Sequence, residues 1–270
     1  MIESFFLPYA GAVLIGLSLG LTGSGGSILT LPLLVYGFRI APETATLYSL
    51  FIVGSVSAVG ATASYRQGRT DIRTALLFGT ASLLAAGLVR RFALPRIPQS
   101  GTQLGSFSLP LPVLVMLLFA AIMALAATSM IRGARIPAGT PGLPNRLQVL
   151  ATGLGIGALT GLLGVGGGFL IVPALVLLLH MPAEKAMGTS LLLIAVNALT
   201  GFAGGYGQYP VDWPLLASFS AIAIGGIILG GMLGRKLNTG QLRRGFGWFV
   251  LGVSACIVAG ELFSLFHQKF

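Results

Sequence analysis

Residues 15–35 read IGLSLGLTGSGGSILTLPLLV, and residues 156–176 read IGALTGLLGVGGGFLIVPALV. The two segments align without a gap at an offset of 141 residues and agree at 11 of 21 positions. The same offset places Glu43 on Glu184 and Asp71 on Asp212, so four of the six acidic residues fall in matched pairs. Such a match predicts a duplicated unit and therefore a chain of two homologous halves.

A short basic segment marks the boundary between the halves. Residues 132–146 hold three prolines, three glycines and three arginines, a composition typical of a surface linker. We therefore expect a first repeat at residues 1–131, a linker at 132–146 and a second repeat at residues 147–270. A polar stretch specific to the first half, Gln99–Pro112, is predicted to be an exposed loop.

The composition is that of a membrane protein. Of 270 residues, 55% are apolar and only 8% are charged, whereas a soluble domain carries about a quarter charged residues. The sequence therefore predicts an all-α, polytopic membrane fold and excludes a disordered chain or an ordinary soluble enzyme. Cys256 is the only cysteine, and neither histidine is paired in sequence with it or with a carboxylate. We expect no enzymatic activity, no metal and no cofactor.

Apolar stretches long enough to cross a bilayer recur along the chain, since a spanning helix needs about 20 such residues. Two longer stretches, Leu7–Phe38 and Leu147–His180, are each interrupted by a glycine cluster and exceed one straight span. We interpret them as re-entrant or discontinuous helices with arms of about 12 to 17 residues. A re-entrant hairpin is preferred, and a single crossing of each broken stretch is the alternative. Each half then has one broken hairpin and about three transmembrane helices. The unbroken candidates are Thr44–Tyr65, Ile72–Val89, Leu111–Ile131, Lys185–Gly205, Trp213–Gly234 and Gly245–Phe266.

The glycine clusters indicate a binding site. Consecutive glycines break a helix, and in lipid the freed backbone groups must face protein or a water-filled cavity. A break also exposes a helix N-terminus, whose N–H groups and partial positive charge suit an anion. The alternative is that the glycines only allow close helix packing. The candidate anion-binding residues are Gly23, Ser24, Gly25, Gly26, Ser27, Gly164, Gly166, Gly167 and Gly168.

Polar residues inside the spans are the other site candidates. Ser49, Thr189, Ser190 and Asn197 each need a partner in lipid, which is either a substrate or a neighbouring helix. The acidic residues are expected to be structural instead. Glu43 and Glu184 fit the first turns of helices, and Asp71 and Asp212 fit helix N-caps. A proton-coupling carboxylate is the alternative, and coupling to protons or to sodium stays open.

The net charge of +10 is better explained by the orientation of the chain in the membrane than by a nucleic-acid partner. The cations cluster between apolar spans, with no long basic run and no aromatic residues interleaved with it. If the broken stretches are hairpins, residues 66–73, 132–146 and 235–244 and Lys185 share one side and hold 11 of the 16 cations. Because cytoplasmic loops of membrane proteins carry an excess of cations, we expect that side to face the cytoplasm. Each half then makes an odd number of simple crossings, so the halves are inverted.

The pattern Gly-x-Gly-Gly followed by proline, at Gly23–Pro32 and Gly164–Pro173, resembles the TauE/SafE sulfite exporter family, also called the toluene sulfonate uptake permease family. The stretch Ala186–Leu191 resembles the family's segment after the second glycine hairpin, and the likeness covers nearly the whole chain. It implies a multi-pass carrier in the inner membrane for sulfite, thiosulfate, sulfoacetate or sulfonates. Ser27 stands where the second half has Gly168, so the two half-sites need not be equivalent.

Together these features predict a secondary transporter of small sulfur-containing anions that works by alternating access. The hydroxyls of Ser24, Ser27, Thr189 and Ser190 are expected to donate to the anion's oxygens. An uncoupled anion channel is the alternative function. The expected partners are the small anion and the lipid bilayer. Small-residue faces such as Gly225-Gly226 and Gly230-Gly231 leave open packing within one protomer or between two protomers of a homodimer.

Overall fold

The structure is a computed structural model. It describes residues 3–89, 92, 102–104, 107–109, 145–163 and 168–234, together with scattered positions within 117–132 and 244–260. Most of the predicted linker at 132–146 lies outside the described residues. The structural statements below refer to the described part of the chain.

Eight α-helices can be bounded in the described residues. Helices α1 and α2 are followed by a π-helical turn at Leu33–Gly37, and a short strand pair, β1 and β2, lies between α4 and α5. The bounds are α1 Glu3–Thr22, α2 Gly26–Pro32, α3 Pro42–Arg66, α4 Ile72–Leu88, β1 Thr102–Leu104, β2 Phe107–Leu109, α5 Arg146–Leu163, α6 Gly168–Leu177, α7 Ala183–Gly205 and α8 Trp213–Gly234.

Sequence and structure agree on four of the predicted spans. Helix α8 coincides with its predicted range, and the predicted ranges of α3, α4 and α7 differ from the helices by at most two residues at either end. Three helical segments are long and apolar enough to cross a membrane, namely Glu43–Arg66, Ala183–Gly205 and Trp213–Gly234. The all-α prediction is thus confirmed for the main body of the described chain.

The stretch predicted to be an exposed loop, Gln99–Pro112, contains the strand pair. Thr102 pairs with Leu109 and Leu104 pairs with Phe107 in antiparallel register. The sequence prediction missed this hairpin because its strands have only three residues each and lack a long alternating pattern.

The first broken stretch is a hairpin. Gly23 turns the chain with φ +78°, a conformation that L side chains rarely adopt. Helix α2 then returns along α1: a β-carbon on Gly26 would meet the carbonyl oxygen of Ile15. Farther along, the Tyr9 and Phe38 rings lie 5.6 Å apart, so the chain enters and leaves at the same end. The outgoing arm is longer than predicted because α1 extends back to Glu3.

Helix α5 starts at the same end as α4, beside the start of α7, and α6 leads back to the start of α7, so α5 and α6 form a second hairpin. The returning arms of the two hairpins end with the same backbone motif. Arg39 and His180 adopt left-handed conformations, with φ 56° and 52°. Beside them, the Ile40 N–H donates to the Leu34 carbonyl at 3.2 Å, and the Met181 N–H donates to the Leu175 carbonyl at 3.0 Å. These bonds join residues six positions apart, one more than the long bond of a Schellman cap, and they likewise satisfy carbonyls at the helix ends.

The long helices pack in three pairs. Helices α3 and α7 are antiparallel: a β-carbon on Gly205 would lie 2.8 Å from Leu47 Cδ1, and one on Gly188 would lie 3.1 Å from Ser64 Cβ. Helix α1 runs parallel to α8, and α4 runs parallel to α5. In both parallel pairs, glycines let the two backbones approach closely.

Candidate functional site

The two hairpins meet at the first residues of their returning arms. A β-carbon on Gly168 would lie 3.3 Å from Ser27 Oγ and 2.9 Å from Ile194 Cγ1. Ile194 lies midway along α7, so this meeting point is far from both ends of that helix. The glycine at 168 leaves room for the hydroxyl at 27, and the structure thereby brings two predicted site residues together.

The tip of the first hairpin is held by polar contacts. The Ser190 hydroxyl donates to the Gly23 carbonyl at 3.0 Å and lies 2.8 Å from the Met187 carbonyl. The Gly25 N–H donates to Thr22 Oγ1 at 2.9 Å, and Ser27 Oγ donates to the Ser24 carbonyl at 2.8 Å. Ser190 therefore contacts the hairpin tip, and its hydroxyl is occupied by backbone carbonyls; its predicted role in binding the anion stays a prediction.

Ser24 is the most informative residue at the tip. Its side chain is 0% exposed, and its Oγ has no hydrogen-bond partner among the described residues. A buried hydroxyl without a partner is costly, and native structures rarely leave one unless a ligand or water completes it. With respect to the described part of the chain, the Ser24 hydroxyl is thus a donor that no protein group satisfies.

Thr189 binds a neighbouring segment of the protein, one of the two kinds of partner expected for it. Its Oγ1 accepts a hydrogen bond from the backbone N–H of Asp71 at 3.0 Å, which ties α7 to the turn between α3 and α4. Consecutive residues of α7 therefore hold two different elements, since Thr189 holds that turn and Ser190 holds the hairpin tip.

Asn197 lies two turns beyond Ser190 on α7, about 10 Å along the helix. Its Nδ2 lies 3.5 Å from Ser82 Oγ, a long contact, and its Oδ1 is buried without a partner among the described residues. Ser49, the counterpart of Ser190, is half-buried on α3. The predicted residues Gly164, Gly166 and Gly167 lie outside the described residues, so the second tip stays a prediction.

Tyr48 is the residue that sequence analysis missed. Its hydroxyl accepts from the Asp212 N–H at 2.7 Å and donates to the Pro210 carbonyl at 3.1 Å. It stands 141 positions before Thr189, and Asp212 stands 141 positions after Asp71. The repeat alignment therefore held the signal, but a tyrosine matched to a threonine gave no reason to single it out.

The predicted positions of the acids at helix starts are confirmed. Asp71 caps α4, with its carboxylate accepting from the Thr74 N–H at 3.1 Å, and Asp212 accepts from the Leu215 N–H at 3.1 Å. Glu43 and Glu184 lie in the first turns of α3 and α7. In the described part of the chain, no group of three histidine, cysteine or acidic residues is placed to hold a metal ion.

Cations concentrate at one end of the bundle. A β-carbon on Gly188 would lie 2.5 Å from the Arg69 carbonyl, so the turn after α3 lies against the start of α7. We call this the basic end; it carries Arg66, Arg69, Arg73 and Lys185. At the opposite end, where the first hairpin enters and leaves, the described part of the chain has Arg39.

Known proteins similar to this chain are membrane transporters. The family model described as sulfite exporter TauE/SafE matches residues 9–257. A probable membrane transporter protein of Xylella fastidiosa (strain 9a5c) is 31% identical, with 95% of this chain and 96% of the relative covered. The probable membrane transporter protein YunE of Bacillus subtilis (strain 168) is 26% identical, covering 84% and 87%. No solved structure matches. The chain is therefore a membrane protein that belongs to the TauE/SafE family of membrane transporters.

Proposed function

We propose that this protein is a secondary transporter of small sulfur-containing anions, of the sulfite, thiosulfate, sulfoacetate or sulfonate class, across the inner membrane. Transport proceeds by alternating access around the point where the two hairpins meet. The proposal is supported by the buried hydroxyl of Ser24, which has no partner among the described residues. It lies at a hairpin tip near the contact between Ser27 and Gly168.

The chain's internal repeat supports a shared central site. A β-carbon on Gly16 would meet the Ala223 carbonyl, and a β-carbon on Gly157 would meet the Ser82 carbonyl. Each residue of one contact stands 141 positions from its counterpart in the other. Ser27 and Gly168 are also counterparts, so the meeting point lies on the axis that would relate the two halves.

The direction of the helices supports inverted halves. Helices α3 and α7 are counterparts in the repeat and run antiparallel to each other. Two helices that cross the membrane in opposite directions can be exchanged only by a twofold axis in the membrane plane. That is the symmetry of an inverted repeat, which lets one site open alternately to either side.

The charge distribution supports both orientation and substrate. The basic end would face the cytoplasm, because cytoplasmic loops of membrane proteins carry the excess of cations. The acids of the described residues all lie at helix starts, at Glu3, Glu43, Asp71, Glu184 and Asp212. The central region is therefore free of described carboxylates, and hydroxyl and backbone N–H donors would face an anion there.

Thermal unfolding of the purified protein in the presence of single anions tests the substrate class. The panel is sulfite, thiosulfate, sulfoacetate, taurine, sulfate, acetate and chloride. A ligand that binds the folded state stabilises it, and at concentrations above Kd the stabilisation grows with the logarithm of the ligand concentration. We expect one sulfur oxyanion to raise Tm selectively, and we expect Ser24→Ala to abolish that rise.

Ser254→Ala is the matched control, since Ser254 is also a buried serine but its hydroxyl donates to the Ala120 carbonyl at 2.8 Å. It should lower Tm and leave the anion-induced rise unchanged.

If no sulfur anion raises Tm selectively, the support for this substrate class is removed. A channel would be indicated instead if reconstituted protein passed anions without saturable counterflow. Counterflow that depends on a proton or sodium gradient would identify the coupling ion.

A further inference from the structure

Two hydroxyl groups hold turns at opposite ends of the bundle. At the basic end, Thr189 Oγ1 on α7 accepts from the Asp71 N–H at 3.0 Å. At the opposite end, the Tyr48 hydroxyl on α3 accepts from the Asp212 N–H at 2.7 Å. The four residues are counterparts in the repeat, and the same type of bond therefore occurs once at each end.

Each bond fixes a whole helix rather than a loose loop. Asp71 is the N-cap of α4, and its carboxylate accepts from both the N–H and the hydroxyl of Thr74. Asp212 binds the first turn of α8 in the same way through the Leu215 N–H. Because the cap ties the aspartate to its helix, the bond at Thr189 restrains the start of α4, and the bond at Tyr48 restrains the start of α8.

The bond at the basic end adjoins the candidate site. Thr189 holds the start of α4, while the next residue, Ser190, donates to the Gly23 carbonyl at the hairpin tip. Gly188, one residue earlier, makes room for the Arg69 carbonyl of the same turn. Met187 and Ser190 face the tip from one side of α7, and Gly188 and Thr189 face the turn from the other side, so α7 stands between the turn and the tip. Release of the turn would therefore let the start of α7 move away from the hairpin tip at the basic end.

The geometry points to Thr189 and Tyr48 as positioning residues of the transport cycle, each holding closed the path to the central site from one end. This inference rests on the proposed alternating access, which requires one closure on each side. The two closures differ in strength, since Tyr48 also donates to the Pro210 carbonyl at 3.1 Å. The resting protein should therefore open more readily at the basic end.

Thiol labelling tests the two closures without needing to know the substrate. The reporter is Ser27→Cys, because Ser27 lies where the hairpins meet, in a Cys256→Ser background that removes the exposed native thiol. A membrane-impermeant thiosulfonate is added to one side or the other of oriented vesicles, and the labelling rate is measured. Thr189→Val should raise the rate from the basic end, and Tyr48→Phe should raise it from the opposite end.

The expected increases are about three- to twenty-fold, the range that corresponds to losing one hydrogen bond between membrane helices. Thr189→Ser keeps the hydroxyl and should restore the original rate, a rescue that loss of packing alone would not produce. Thr189→Ala serves as a second variant if the valine does not fold. Correct folding is checked by a monodisperse elution profile.

The inference is wrong if both variants raise labelling from the same end, if they raise it equally from both ends, or if neither changes it. Failure of the proposed substrate class would be seen separately, as no anion-induced rise in Tm with side-specific labelling intact. The converse result, a selective anion effect without side-specific labelling, would overturn only the roles given to Thr189 and Tyr48.

Discussion

Neighbouring glycines on α8 provide a sharp test of the packing between α1 and α8. Gly226 faces α1: a β-carbon there would lie 2.6 Å from the Val13 carbonyl oxygen and 3.0 Å from Gly16 Cα. Gly225 is one residue away in the same helix, and a β-carbon there would meet nothing within 4 Å. Replacing either glycine with alanine therefore adds the same methyl group to the same helix in two different surroundings.

The expected difference follows from those distances. Both substitutions gain about 1 kcal/mol of helix propensity, because glycine is the poorer helix former. Only Gly226→Ala places a methyl group against backbone atoms, so α1 and α8 must separate by roughly 0.5–1 Å and lose part of their van der Waals contact. Overpacking of this kind costs about 1–3 kcal/mol. Gly226→Ala should therefore be about 1–3 kcal/mol less stable than Gly225→Ala.

Thermal unfolding in detergent, followed by size-exclusion chromatography of the surviving protein, measures this difference. At about 2–4 °C per kcal/mol for a chain of this size, Gly226→Ala should unfold about 2–12 °C below Gly225→Ala. Equal midpoints for the two variants would refute the close approach of α1 and α8. A larger loss at Gly225, accompanied by a change in oligomeric state, would instead place the small-residue face between two protomers.

Three further predictions concern single positions. Arg39→Gly and His180→Gly should each raise the free energy of unfolding by about 0.5–1 kcal/mol, because glycine relieves a left-handed conformation that costs other residues about 1–2 kcal/mol. Denaturation midpoints measure the gain, and alanine at the same positions is the control that keeps the strain. Asp71→Ala should lower stability by about 0.5–2 kcal/mol through loss of the N-cap of α4, and Asp71→Asn should recover most of it. Gly168→Ala should cost about 1–3 kcal/mol because its methyl group would crowd a neighbouring helix, whereas Gly204→Ala, with open space around it, should not destabilise.

The helices and their breaks were predictable because they depend on local properties of the chain. Apolar length sets the range of α8, and the glycines at 23–26 set the turn of the first hairpin, since each acts within a few residues. The caps at Asp71 and Asp212 are equally local, because each carboxylate binds a backbone group three residues later.

Contacts between distant residues were not predictable in the same way. The sequence left open whether Thr189 meets the anion or a neighbouring helix, and it gave no hint that its oxygen accepts from a backbone N–H 118 positions away. Likewise, the pair Gly225-Gly226 reads as one small patch in sequence, and only the position of α1 shows that Gly226 alone is covered. A polar or small residue in a span signals a contact, but the neighbouring helix decides which contact it makes.

The closest helix contacts constrain how any transport motion can occur. Helix α1 packs against α8, and α4 packs against α5, in both cases through glycines facing backbone carbonyls. Moving the two predicted halves of the chain apart as rigid bodies would break both of these contacts at once. A motion that keeps both contacts must carry the first hairpin together with α8 and the second hairpin together with α4. Helices α3 and α7 then lie between the two moving groups, and they carry Tyr48 and Thr189, which bind the starts of α8 and α4.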